Sequence, residues 1–161
     1  FFLEPDYPPE ESWSISNLER LRLKWGGARE FDQQKGRHQL KERGHAVGID
    51  HYVLERPASN TMRSHRLIQL ISKTCSLEKA EELYTQLNEK HFVKGERLND
   101  SAMLAQLAQE IAGTPIAETL SFLNDPSEPG KKEVLAAFDM CHRMGIHGIP
   151  TFVINGQHKV G

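Results

Sequence analysis

Gly145-Ile146-His147-Gly148-Ile149-Pro150-Thr151-Phe152-Val153-Ile154-Asn155-Gly156 joins a helix stop, a proline and a hairpin turn in one short stretch. Gly145 suits the left-handed residue that closes a helix. Pro150 stands directly before the β-branched and aromatic run 151–154, which reads as a strand. Asn155-Gly156 is the strongest short hairpin signal, so residues 157–160 return as the partner strand. A proline cannot donate to a sheet ladder, and at the head of a strand it belongs on an edge or where something else approaches the backbone. A two-stranded hairpin is marginally stable alone, so this one calls for a larger sheet or a helical layer beneath it.

Upstream of this stretch the pattern is helical. Val134, Leu135, Phe138 and Cys141 line one helix that ends at Gly145. Thr114-Pro115 predicts a short helix to about Leu123, with the hydroxyl as cap and the proline in the first helical position, before a loop over 124–130. Asn99 or Asp100 caps a helix carrying Met103, Leu104, Leu107 and Ile111 into Gly113. Ser76 caps another, with Ala80, Leu83, Tyr84 and Leu87 on its apolar face, Phe92 one turn further and Gly95 as its end. Asn60 caps a helix to about Thr74.

Residues 51–54 read as a connector, and Arg56-Pro57 forces extended backbone after it. Before it, a polar helix is expected from Ala28 to about Arg43, weakened at Gly36. Ile15, Leu18, Leu21 and Trp25 share the face of a first helix, with Ser16 and Glu19 at capping-box spacing and Gly26-Gly27 as its stop. Phe1 to Leu3, followed by Pro5 and Pro8-Pro9, reads as the tail of a strand leaving a sheet.

The chain has 161 residues with 20 basic and 22 acidic side chains, a formal charge of -2, which offers no electrostatic footprint for nucleic acid. No apolar run approaches the roughly 20 residues a membrane span needs. The two cysteines, Cys75 and Cys141, form no CxxC pair. Cys75 falls at a helix end and Cys141 in a helix interior, and both are expected to be inert and partly buried. The eight histidines show no metal-ligand spacing, so no metal site and no bound cofactor is expected. The chain opens on Phe1-Phe2-Leu3-Glu4-Pro5 rather than on Met or a signal peptide, and reads as the interior of a longer protein. The compartment stays open, with the cytoplasm favoured.

"GIHGIPTFVING" resembles the G-x-x-G-(V/I)-P-x-F-(V/I)-(I/V)-(N/D)-G signature of DsbA-like thioredoxin-fold proteins. "NTMRSHRLIQL", residues 60–70, resembles the N-(T/S)-x-x-(A/S)-H-R helix of their inserted helical domain, and residues 91–113 its following helix junction. "FFLEPDYPP" resembles the strand that enters the insert. The order and extent of these matches are similar to the FrnE-like and 2-hydroxychromene-2-carboxylate isomerase-like branch.

The resemblance implies an α/β, thioredoxin-like fold with a large all-helical insertion, its N-terminal βαβ part lying outside this chain. Residues 1–11 would be the strand tail and connector, 12–130 the helical insertion, and 131–161 the C-terminal helix and hairpin. It implies a thiol-disulfide oxidoreductase, an enzyme as the parent protein, acting on a peptide or small thiol. Pro150 takes the place of the family's cis-proline and Ile149 that of the substrate-pairing residue, with His147 beside them. In the family, the catalytic CxxC precedes the "PFxLxP" strand, so the nucleophile is expected upstream of Phe1 and is absent from this fragment. His65 and Arg66 match the helix motif, and a helix-packing or capping role is expected for them. Glutathione is a candidate co-substrate and a homodimer a candidate assembly. The alternatives are a glutathione-dependent isomerase or transferase of the kappa-like branch, with serine at the catalytic position, and a non-catalytic peptide-binding module.

Overall fold

The structure, a computed structural model, describes residues 6–148 and 150–160. The strand tail expected over 1–3 and the pairing residue Ile149 lie outside them. Helices dominate: α1 (Asn17–Trp25), α2 (Ala28–His38), α3 (Leu40–His45), α4 (Met62–Thr74), α5 (Leu77–Asn88), α6 (Ser101–Ala112), α7 (Ile116–Asn124) and α8 (Lys131–Arg143). Two short antiparallel pairs complete the described chain. β1 (Ile15–Ser16) pairs with β2 (Pro57–Ala58), and β3 (Phe152–Ile154) pairs with β4 (His158–Val160) in the register Phe152 to Val160.

Local chemistry sets most boundaries. Ser76 Oγ accepts from the Lys79 N–H at 3.1 Å and starts α5. Asp100 Oδ1 accepts from the Met103 N–H at 3.0 Å and starts α6. Each satisfies one of the N–H groups a helix start leaves without a partner. Asn60 Oδ1 takes the Met62 N–H at 2.9 Å, so it serves the first turn of α4 from one residue further out than the cap itself. The turn expected around Phe92 continues α5 as a π-helix, Glu89–Val93.

Four expectations are corrected. The polar helix breaks at Gln39 (φ 44°), not at Gly36, and splits into α2 and α3. Ser16 makes no side-chain cap, because its backbone is already committed to the pair with Pro57. Pro115, not Thr114, occupies the cap of α7, in an extended conformation that suits proline. Tyr84 is exposed, because α5 packs through Ala80, Leu83 and Leu87 alone.

The core sits among α4, α5, α6 and α7. Leu67, Ile71, Leu83, Leu104 and Leu123 are all within 1% of full burial and form its centre. Each such side chain contributes about 1.5–3 kcal/mol relative to exposure. α8 joins α4 through a smaller cluster of Met62 and Val134, with Phe138 packed against it. Residues 7–13 are fastened across this bundle by polar side chains. Asn99 Nδ2 donates to the carbonyls of Glu10, Glu11 and Trp13 at 3.1–3.2 Å. Glu11 reciprocates, accepting from the Ser101 N–H at 2.8 Å and the Ser101 hydroxyl at 2.9 Å. The segment predicted to lead into the helical region is thereby fixed to the start of α6.

Candidate functional site: the proline loop

The loop between α8 and β3 begins where the sequence predicts, with Gly145 in the left-handed region at φ 66°. The Ile146 N–H donates back to the Cys141 carbonyl at 2.9 Å and the Gly145 N–H to the His142 carbonyl at 2.9 Å, which ends the helix cleanly. Thr151 Oγ1 then donates to the Gly148 carbonyl at 2.7 Å, closing the loop across Pro150. The hairpin turn has Asn155 at φ 52° and Gly156 at φ 69°, and the Gln157 N–H donates to the Ile154 carbonyl at 3.1 Å. Both central residues are positive in φ, the geometry that Asn-Gly favours.

Pro150 is exposed at the mouth of β3. One edge of β3 pairs with β4, and its other edge meets no strand among the described residues. The hairpin carries Phe152, Ile154 and Val160 at more than half exposure, an apolar face beside that edge. His147 is exposed too, its ring set perpendicular to that of His142 at 5.8 Å, and His142 in turn lies 4.7 Å from the Phe138 ring. The loop thus brings Pro150 and His147 to the same end of α8.

One contributor to this geometry was not singled out in the sequence. Lys159 of β4 donates to the Gly145 carbonyl at 2.9 Å and the Met144 carbonyl at 3.4 Å. An ammonium at the C-terminal end of a helix satisfies carbonyls that lack helical partners and complements the negative end of the dipole. It clasps the hairpin to α8 and so sets the path of the loop. A positive charge on the returning strand is the signal that could have found it, since α8 ends only two residues before Gly145.

α4 supplies the expected His65-Arg66 pair, with Arg66 at the start of α8 rather than at the proline loop. Arg66 is 2% exposed; Nη2 donates to the Phe122 carbonyl at 2.7 Å, Nη1 to Leu123 at 3.2 Å and Nε to Pro129 at 2.8 Å. It therefore caps the end of α7 and pins the loop that launches α8, which agrees with a packing and capping role. Burial lowers its pKa from the usual range, and the Glu128 and Asp125 carboxylates oppose that shift. Burial also takes the His65 imidazole down to about 4.

The His65 shift has a definite sign. The neutral ring is the form the fold accepts, while in the unfolded chain it takes up a proton near pH 6.5. The stability it gives is complete above about pH 6.5 and is lost as the pH falls toward 4, about 3 kcal/mol in total. Urea midpoints at pH 7 and pH 4.5 should therefore differ more for the native sequence than for His65→Gln, and equal differences would refute the assignment.

The cysteines do not join this site. Cys75 caps the C-terminal end of α4 and Cys141 lies within α8, so neither occupies the helix N-terminus that activates a nucleophilic thiol. Cys141 is partly buried, as expected, but Cys75 is exposed, because α4 ends in solvent before the α5 cap. Cys75→Ser is expected to leave any disulfide-exchange rate of the protein within about twofold, measured by turnover; a tenfold loss would give Cys75 a role. Among the described residues, no group of three or more His, Cys, Asp or Glu side chains is placed to hold a metal ion.

The model of the DSBA-like thioredoxin domain family matches residues 16–161, from β1 through the proline loop and hairpin. The chain belongs to this family. A solved structure described as a probable DsbA oxidoreductase from Streptomyces coelicolor is similar to it at a TM-score of 0.80 and 26% sequence identity, over 99% of this chain. The chain spans 65% of that protein's length. Among curated proteins, none matches the chain. The DSBA-like assignment gives the fold as thioredoxin-like and α/β, with helices far outweighing strands in this chain.

Proposed function

We propose that this chain is the substrate-pairing part of a DsbA-like protein thiol-disulfide oxidoreductase, with Pro150 and Ile149 presenting the pairing edge and His147 at its rim. The observation that carries the reading is Pro150 exposed at the mouth of a strand whose outer edge meets no described strand. A peptide can add to such an edge as an extra strand, taking affinity from main-chain hydrogen bonds and selectivity from side-chain pockets. The absence of an amide hydrogen at Pro150 leaves the neighbouring backbone to do the pairing.

These residues hold no CxxC pair, and on this reading the reacting dithiol is supplied from outside them. In the exchange, one thiolate attacks a substrate disulfide sulfur, the new S–S bond forms as the old one breaks, and the departing thiolate takes up a proton. The second thiol then attacks the mixed disulfide, releasing reduced substrate and leaving the protein's pair oxidised. The edge beside Pro150 holds the substrate during both attacks, and glutathione in place of a peptide would use the same edge.

The test is amide hydrogen exchange on the full-length protein with a cysteine-containing peptide trapped as a mixed disulfide. Amides of residues 151–154 are expected to exchange more slowly than in the free protein. Protection confined to other parts of the chain would contradict the reading. If the peptide cannot be trapped and saturable glutathione binding protects these amides instead, the isomerase or transferase alternative takes its place.

A further inference from the structure

A cleft of about 700 Å³ opens between α1, α2, α3 and the connector carrying Tyr52 and Leu54. Its size falls in the roughly 300–1,000 Å³ range of small-molecule sites. None of the residues lining it comes from α8 or the hairpin, so it is separate from the proline loop. Its walls are aromatic and held in place. The Trp25 ring stacks on Phe31 with centroids 5.7 Å apart and on His38 at 6.1 Å. Tyr52 stacks on Phe92 at 5.8 Å, and the Arg56 guanidinium lies 5.1 Å from the Tyr52 ring and 4.5 Å from Phe92.

Gly36 supplies the second observation. It sits inside α2 and lines the cleft, at a helix-interior position where glycine is a poorer helix former than alanine. Neither backbone nor packing explains it: its φ is not in the left-handed region, and an added Cβ would meet no atom within 4 Å. A bare helix backbone facing an open cleft is what close approach of a ligand requires. The rim is balanced in charge, with Lys35 and Lys41 set against Asp32 and Glu42, and selects neither anions nor cations.

We infer that this cleft binds a flat, uncharged aromatic small molecule, seated on the α2 backbone at Gly36 and faced by the rings of Trp25 and Tyr52. Filling the space above Gly36 with a side chain displaces the ligand while removing the conformational cost of the glycine, so binding and helix stability move in opposite directions.

The experiment is a fluorescence titration of the full-length protein with N-phenyl-1-naphthylamine, an uncharged aromatic probe, alongside Gly36→Ala, Gly36→Leu and Gly36→Phe. Saturable binding is expected for the native sequence, with affinity falling as the side chain grows and lowered at least about tenfold by phenylalanine. Helix content by circular dichroism stays level or rises in the alanine and leucine variants. Absence of saturable binding, or one affinity across the whole series, overturns the inference.

Discussion

Arg66→Ala lowers the stability of the folded chain by about 2–4 kcal/mol, since it leaves buried carbonyls without a donor at about 1–3 kcal/mol for an unsatisfied group. Three carbonyls, those of Phe122, Leu123 and Pro129, lose their donor together in a place where Arg66 itself is 2% exposed. The guanidinium also lies 5.1 Å from the Phe122 ring, so truncation removes packing as well as donors. Arg66→Lys recovers only part of the loss, since an ammonium cannot reproduce the planar fork that reaches three acceptors. Urea denaturation of the three proteins measures this directly. A loss below about 1 kcal/mol for alanine would mean that the α7 end and the α8 launch loop are held by something else.

The second large effect is on catalysis. Pro150→Thr in the full-length protein is expected to lower kcat/KM for disulfide reduction about tenfold or more, equivalent to about 1.4 kcal/mol of transition-state stabilisation. Threonine brings an N–H and a branched side chain to the mouth of β3, where the proposed substrate strand pairs. Stability should change by only about 0.5 kcal/mol, because Pro150 is exposed. A loss of rate with unchanged stability separates a pairing role from a structural one. Equal losses of both would place Pro150 in the scaffold instead.

What could be read in the sequence was what local chemistry decides. Ser76 and Asp100 cap helices within three residues of themselves, Gly113 and Gly145 stop helices at their own φ, and Asn155-Gly156 makes its turn unaided. The proline motif belongs to the same class, which is why the family could be recognised from it. Elements decided by distant partners were not legible in the same way. Gln39 carries no turn signal, yet α2 ends there, and Gly36, the weak helix former nearby, stays helical beside the cleft. Tyr84 shares the helical spacing of its buried neighbours, but the other helices pack against Leu83 and Leu87.

Long-range polar contacts follow the same logic. Arg66 reaches acceptors 56–63 residues away and Asn99 reaches the connector 86–89 residues away, distances over which sequence spacing carries no information. In the sequence, Arg66 stands out only through the family motif, whereas the contacts of Asn99 and Lys159 depend on the folded chain. For the candidate site, Pro150 and His147 fall together at the end of α8, whereas the expected partner Ile149 lies outside the described residues.

The proposed role of these residues is to pair substrate for thiol-disulfide exchange. The direct measurement is reduction of insulin disulfides by the full-length protein containing them, with dithiothreitol as the electron source. Turnover is expected well above the dithiothreitol background, falling about tenfold or more with Pro150→Thr. Turnover no faster than background, from a folded full-length protein, would contradict it.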